Sequence, residues 1–251
     1  MNYKPYSENI WSFIESEVDR ALKQKKTDKL IAAFDADGTL WDCDLGENYF
    51  RYQIDHQLVP LPNDPFNYYL QLKEKNNDPR DAFIWLAQIS EGVNLAVTEQ
   101  WSELAFKEIQ PSPLFSEQKK LIQFLFSKNI EIFIVTASVK QAVIYGASLF
   151  GIDSNHVIGV ETEIVNNIIT NKPVYPVTYR QGKVEALLKK TNGEMPFLAS
   201  GNTMGDFELL QSATHVKLAV SAAAADDKIY RTEMELQSNA KKFDWLNHRF
   251  I

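Results

Sequence analysis

Leu30 to Trp41 reads LIAAFDADGTLW, an apolar run cut off by two aspartates, a glycine and a threonine. Leu30 to Phe34 have the length and apolarity of a strand buried on both faces, as at the centre of a parallel sheet. In open α/β sheets the ligand crevice lies just beyond the carboxyl ends of the strands, so Asp35, Asp37 and Thr39 are expected to open into a site. Two carboxylates one residue apart suit phosphoryl transfer from a monoester, because one can attack phosphorus while the other passes a proton to the leaving oxygen. A dianionic phosphate approaches such a cluster only if a hard, oxygen-liganded cation offsets the repulsion, which points to Mg²⁺. A calcium loop is excluded: counting from Asp35, Leu40 stands at the sixth position, where an EF-hand requires glycine.

Working outward, two later stretches repeat the pattern of a buried strand that runs into polar residues, and a helix start between them carries a lysine. Ile130 to Val135 reads as a strand after the Ser116–Lys128 helix, and Thr136-Ala137-Ser138 follows it. A hydroxyl and free main-chain amides there, opening a Val139–Phe150 helix, would make a phosphate cradle, with plain N-capping by Ser138 as the alternative. TYRQGKVEALLKK begins a helix with Lys183 in its first turn, where the helix dipole disfavours a cation unless an anion is bound nearby; a solvated surface lysine is the alternative. Pro196 to Ser200 is a short strand leading into GNTMGDFELL, so Asn202, Thr203 and Asp206 offer oxygen ligands at another strand end.

The remainder frames these stretches. Ser7 to Lys23 carries apolar residues at helical spacing, with Ser7 as N-cap, and its acidic polar side favours core packing over a membrane surface. From Asp42 to Pro113 the pattern is helical and broken near Val59–Asn67 and Asn76–Arg80. Roughly seventy residues far exceed the usual βα connection of about two to six, so a helical subdomain over the strand ends is expected. Its aromatics, Tyr49, Phe50, Tyr52, Tyr68, Tyr69, Phe83, Trp85, Trp101 and Phe106, are expected to form mostly its own core, with one or two facing a substrate. His156 to Thr170 suggests a strand and a hairpin through Asn166-Asn167, with no room for a second lid. Val216 to Val220 is a last core strand, and Lys228 to Asn247 reads as a helical tail docked outside.

The chain of 251 residues, 45% hydrophobic and 24% charged, has the composition of a globular protein with a full core. Its formal charge of −7 argues against a nucleic-acid binder. One cysteine, Cys43, leaves no disulfide framework and is read as packing. No basic-then-apolar leader and no run of about eighteen apolar residues is present, so neither export nor a membrane anchor is expected and cytoplasm is the default.

Taken together, Asp-Ala-Asp-Gly-Thr, Thr136, Lys183 and Gly-Asn-Thr-Met-Gly-Asp resemble the motifs of the haloacid dehalogenase superfamily of phosphatases, in that family's order. The resemblance implies a three-layer α/β, Rossmann-like core with a parallel central sheet, formed by residues 1–41 and 114–251. Residues 42–113 would be the helical cap placed after the first motif, as in the phosphoserine phosphatase branch. Asp35 would be the nucleophile and Asp37 the general acid and base. Thr136, Ala137 and Lys183 would hold the phosphoryl group, and Asp35, the Asp37 carbonyl, Asn202 and Asp206 would bind Mg²⁺. Asn202 departs from the aspartate common in the family, removing one negative charge. Trp41 to Glu47 also resembles the equivalent stretch of bacterial phosphorylcholine phosphatases, which implies that Trp41, Asp44 and Glu47 contact an alkylammonium group. The expected activity is Mg²⁺-dependent hydrolysis of a small phosphorylated metabolite, amine-bearing if that second resemblance holds. A phosphomutase using the same residues and a non-catalytic binding protein are the rival readings.

Overall fold

A computed structural model describes residues 3–24 and 29–251; residues 1–2 and 25–28, part of the 1–41 core segment expected above, lie outside the described residues. Helix α1 (Glu8–Gln24) precedes β1 (Ile31–Phe34), and four helices follow: α2 (Leu45–Asp55), α3 (Pro65–Glu74), α4 (Arg80–Gln88) and α5 (Leu95–Lys107). The chain then alternates through α6 (Ser116–Ser127), β2 (Glu131–Val139), α7 (Lys140–Ser148) and β3 (Val157–Val160), and forms a hairpin of β4 (Thr162–Val165) and β5 (Ile168–Pro173). It ends with α8 (Gln181–Lys190), β6 (Leu198–Gly201), α9 (Phe207–Ser212), β7 (Val216–Ser221), α10 (Tyr230–Lys242) and β8 (Leu246–Arg249).

The central sheet is parallel, in the order β3-β2-β1-β6-β7-β8. β1 lies inside it, with Phe34 in register with Ile134 of β2 and Ser200 of β6. Successive strand side chains point to opposite faces. Ala32, Phe34, Ile132 and Ile134 therefore join one core with Ile14 and Val18 of α1 and Leu121 and Leu125 of α6. Ile31, Ala33, Phe133 and Val135 join the other with Leu187 of α8 and Leu209 of α9. This makes a three-layer α/β, Rossmann-like architecture, and it explains why β1 carries no polar residue before Asp35. Phe34 is fully buried, and burial of a side chain of that size contributes about 1.5–3 kcal/mol. No helix among the described residues is long and apolar enough to cross a membrane.

The α2–α5 helices fill the interval between β1 and α6 and hold an aromatic cluster in which Phe50 packs on Phe66, Tyr69 and Trp85. Start signals are local: Asp44 and Asp64 accept from the main-chain N–H groups of Glu47 and Asn67, and Pro65 occupies the first turn of α3. The β4–β5 hairpin turns through Asn166 and Asn167, both with positive φ (53° and 62°), as such a two-residue turn requires. It docks on the helical insertion, where the N–H groups of Gly92 and Leu95 donate to the carbonyls of Ile169 and Asn167.

Two elements differ from the sequence reading. β2 does not end at Val135 but runs to Val139, so Thr136 to Ser138 lie inside the strand rather than on a helix start. The tail is not helical throughout. After α10 it forms β8 on the sheet edge, where Leu246 is the only large apolar residue and all four residues are half-buried.

Candidate active site

The β1 ladder runs one step past the strand, since the Asp35 N–H donates to the Ser200 carbonyl at 2.9 Å. Asp35 thus leaves the sheet with its side chain fixed beside the end of β6. The chain then turns at Gly38, whose φ of +74° is left-handed and where an added Cβ would lie 2.0 Å from Asn202 Nδ2. Glycine is required there by both conformation and space. Thr39 does not open into the crevice as expected. It is fully buried, and its hydroxyl donates to Asp35 Oδ2 at 3.0 Å and to Asn202 Oδ1 at 3.4 Å.

Lys183 is 2% exposed, not a surface lysine, and its Nζ donates to Asp35 Oδ1 at 2.6 Å and to Asp206 Oδ1 at 2.5 Å. Asp206 is oriented from its other oxygen, which accepts from the N–H groups of Asn202 at 3.1 Å and Thr203 at 3.0 Å. Burial and the neighbouring Asp206 push the Asp35 carboxyl up to about 6, against the pull of Lys183. Burial alone would depress the Lys183 ammonium, but Asp206 and Asp35 outweigh it and raise it.

Asp37 is held by three donors. Oδ1 accepts from Trp41 Nε1 at 2.7 Å and from the Leu45 N–H at 2.9 Å, and Oδ2 accepts from Ser138 Oγ at 2.6 Å. Burial and then Asp44 push its carboxyl up to about 7, the hydrogen bonds pulling the other way. Ser138 is therefore no N-cap. The sequence reading missed its role because a serine after a strand looks like the start of a helix.

Asp35, Asp37, Thr136, Ala137 and Lys183 line one cavity of about 280 Å³, and Asn202 and Asp206 border it as well. The expected site residues from four separate stretches thus meet. The opposite wall comes from the helical insertion, with Glu47, Tyr69, Lys73 and Phe83, and from the loop before α10, with Lys228.

The expected alkylammonium contacts fare differently. Trp41 is fully buried, its indole N–H is spent on Asp37 and its ring packs toward Phe150, so no face of it reaches the cavity. Glu47 is already paired, with Lys73 at 3.3 Å and Lys228 at 2.6 Å. Although burial pulls the other way, these two lysines hold it below the usual carboxylate range. Asp44 caps α2 and borders the cavity, the one of the three that is left with a free role.

Asp35 and Asp206 share the Lys183 ammonium, two negative charges against one positive, and this buried negative balance would be offset by a cation. On the side of Asp35 away from Lys183 stand the Thr39 hydroxyl and, beyond it, Asn202 Oδ1, oxygens of the kind Mg²⁺ prefers. Among the described residues no three His, Cys, Asp or Glu side chains converge as a cage, so a cation here would lean on amide and main-chain oxygens. The residues fit Mg²⁺.

Sequence reasoning also missed Glu233 of α10. It is fully buried, accepts from Asn202 Nδ2 at 2.9 Å, and accepts from the N–H groups of Ala222 at 3.1 Å and Ala223 at 2.9 Å. Nothing in a lone glutamate on a polar helix announces this.

Known proteins share this architecture. A protein of unknown function from Bordetella pertussis Tohama I superposes with a TM-score of 0.71 at 16% identity, covering 90% of this chain and 100% of that one. A functionally unknown protein from Anaerococcus prevotii gives 0.71 at 13% identity, covering 98% and 93%. A phosphoserine phosphohydrolase-like protein from Francisella tularensis gives 0.50 at 19% identity, covering 76% and 87%. No curated protein matches the sequence. The family model for haloacid dehalogenase-like hydrolases matches residues 32–211, from β1 through Asp35, Lys183 and Asp206 into α9, and the chain belongs to that family.

Proposed function

We propose that this hydrolase is a phosphomonoesterase acting on a small phosphorylated metabolite through an aspartyl-phosphate at Asp35. The observation that carries the reading is the Asp35–Lys183 pair at 2.6 Å on the floor of a cavity that Asp37, Thr136 and Ala137 also line. Lys183 and the main chain at Thr136 and Ala137 hold the phosphoryl oxygens while Asp35 attacks phosphorus. Asp37, fixed by three donors, gives the leaving oxygen its proton and then takes one from the water that attacks the intermediate. Asp35, the Asp37 carbonyl and Asn202 would hold Mg²⁺, with Asp206 beside them; bound there, the ion supplies charge to offset the phosphate dianion. The α2–α5 helices act as a cap, keeping bulk water off the reacting atoms with Tyr69 and Phe83.

The distal wall favours a zwitterionic substrate, phosphoserine-like rather than phosphocholine-like. Asp44 suits an amine, and Lys73 and Lys228, two ammonium groups against the one carboxylate of Glu47, leave a positive charge for a substrate carboxylate, while Tyr69 and Phe83 line the cavity and Trp41 offers no face to a quaternary ammonium. Phosphate release from a panel with Mg²⁺ tests this: O-phosphoserine should turn over faster than phosphocholine, and the reverse order would refute the assignment of the wall. Asp37→Asn should slow cleavage of an alkyl phosphate by roughly 10²- to 10⁴-fold, with a smaller loss on p-nitrophenyl phosphate, whose leaving oxygen needs no proton. Equal losses on the two substrates would count against Asp37 as the acid.

A further inference from the structure

We infer that Glu233 is a positioning residue for the cation site: it fixes the Asn202 amide with its oxygen on the Thr39 side, beside the hydroxyl that holds Asp35, and supplies, one residue removed, the negative charge that Asn202 lacks. The inference rests on the proposed Mg²⁺ site and concerns a residue outside the cavity. Glu233 is fully buried on α10, where burial raises its carboxyl against the hydrogen bonds from Asn202, Ala223 and Ala222 and the charge of Arg249. Its Oε2 is taken by the N–H groups of Ala222 and Ala223, just past the end of β7. Its Oε1 can therefore face Asn202 only as an acceptor, which admits one orientation of the amide. Nδ2 turns to Glu233 at 2.9 Å, and Oδ1 turns to the Thr39 hydroxyl, which also bonds Asp35. The flipped amide would set its carbonyl oxygen against a carboxylate oxygen.

The same contact has an electronic consequence. An amide N–H donated to a carboxylate polarises the group and deepens the partial charge on Oδ1. An amide so oriented is a better ligand for a hard cation than a free asparagine, and the formal charge sits on Glu233. The arrangement also explains why aspartate at 202 would not be a simple improvement. In the presence of Glu233 its second oxygen would meet Oε1 at hydrogen-bond distance with no proton between them.

Glu233→Gln tests the inference, because glutamine cannot serve both sides. With its carbonyl on the Ala222 and Ala223 amides, its NH₂ faces Asn202 Nδ2, donor against donor. Asn202 must then flip and turn its own NH₂ toward Thr39, where its oxygen had been. Mn²⁺ binding, read directly by electron paramagnetic resonance on the purified protein without substrate, should weaken by about 10- to 100-fold. Asn202→Asp in the Glu233→Gln background should restore it to within about threefold of the parent, since an aspartate has an oxygen for each side. Asn202→Asp alone should bind no tighter than the parent. Binding by Glu233→Gln within about threefold of the parent, or a folded double variant no better than Glu233→Gln, overturns the inference while leaving the proposed activity intact. A parent that binds no Mn²⁺ removes the proposed cation site and this inference with it. If Glu233→Gln fails to fold, Asn202→Asp alone decides, and tighter binding by that variant is the refuting result.

Discussion

Asp35→Asn should leave a folded protein whose phosphatase turnover is lower by roughly 10⁴- to 10⁶-fold, the scale of loss when a covalent nucleophile is removed. Asparagine is nearly isosteric, with its carbonyl oxygen able to accept from Lys183 and its NH₂ able to donate to the Thr39 hydroxyl, but its amide does not attack phosphorus. The stability arm sharpens the test. In the parent Asp35 and Asp206 share one ammonium; in the variant Asp206 and Lys183 balance one to one. The thermal midpoint should therefore stay level or rise, the usual sign of a residue kept for chemistry at a cost to the fold. A purely structural aspartate would give the opposite pattern, retained turnover with a lowered midpoint. Activity within about tenfold of the parent would remove Asp35 as nucleophile.

What could be read from the sequence was governed by periodicity and by abrupt changes of polarity. Leu30 to Phe34, Ile130 to Val135 and Pro196 to Ser200 are apolar runs cut off by polar residues, and all three correspond to inner strands of the sheet. Because strands of a parallel sheet end on one side, the polar residues after each run had to share that side, and Asp35, Thr136 and Asn202 do border one cavity. The Asn-Asn turn and the breaks on either side of α3 were legible for the same local reason, whereas the break between α4 and α5 was not read. β8 was not, because an edge strand needs no apolar run, and Leu-Asn-His-Arg gets its place from pairing with β7. Side-chain direction was the deeper obstacle. Trp41 beside an acidic stretch invites an aromatic cage, yet its N–H is what holds Asp37. Glu47 invites a cation and already has two, Lys73 and Lys228, from α3 and from a segment 181 residues away. Glu233 was invisible because its partner Asn202 is 31 residues distant in sequence and no spacing rule links them.

The depth of Lys183 separates its two readings and carries the second large effect. A solvated lysine in a first helical turn could be replaced at a cost of about 0–1 kcal/mol. Lys183 is instead fully enclosed, with Asp35 at 2.6 Å and Asp206 at 2.5 Å. Lys183→Met keeps the volume and the aliphatic stem but strips the ammonium from two buried carboxylates. Removing one partner of a buried ion pair costs about 3–5 kcal/mol, because the charge left behind is uncompensated. For a chain of this size that is a fall in thermal midpoint of roughly 6–20 °C. Phosphate turnover should fall with it, by at least about 10²-fold, as a positioned cation is lost from the developing charge. The loss of stability should also be partly reversed by Mg²⁺, since a cation that binds the folded protein beside Asp35 stabilises it by mass action and would restore charge where the ammonium was. Calorimetry of the variant with and without Mg²⁺ measures both effects. A midpoint within about 2 °C of the parent would mean that Lys183 does not balance the two aspartates in solution, and with it the charge argument for a cation beside Asp35 would fall.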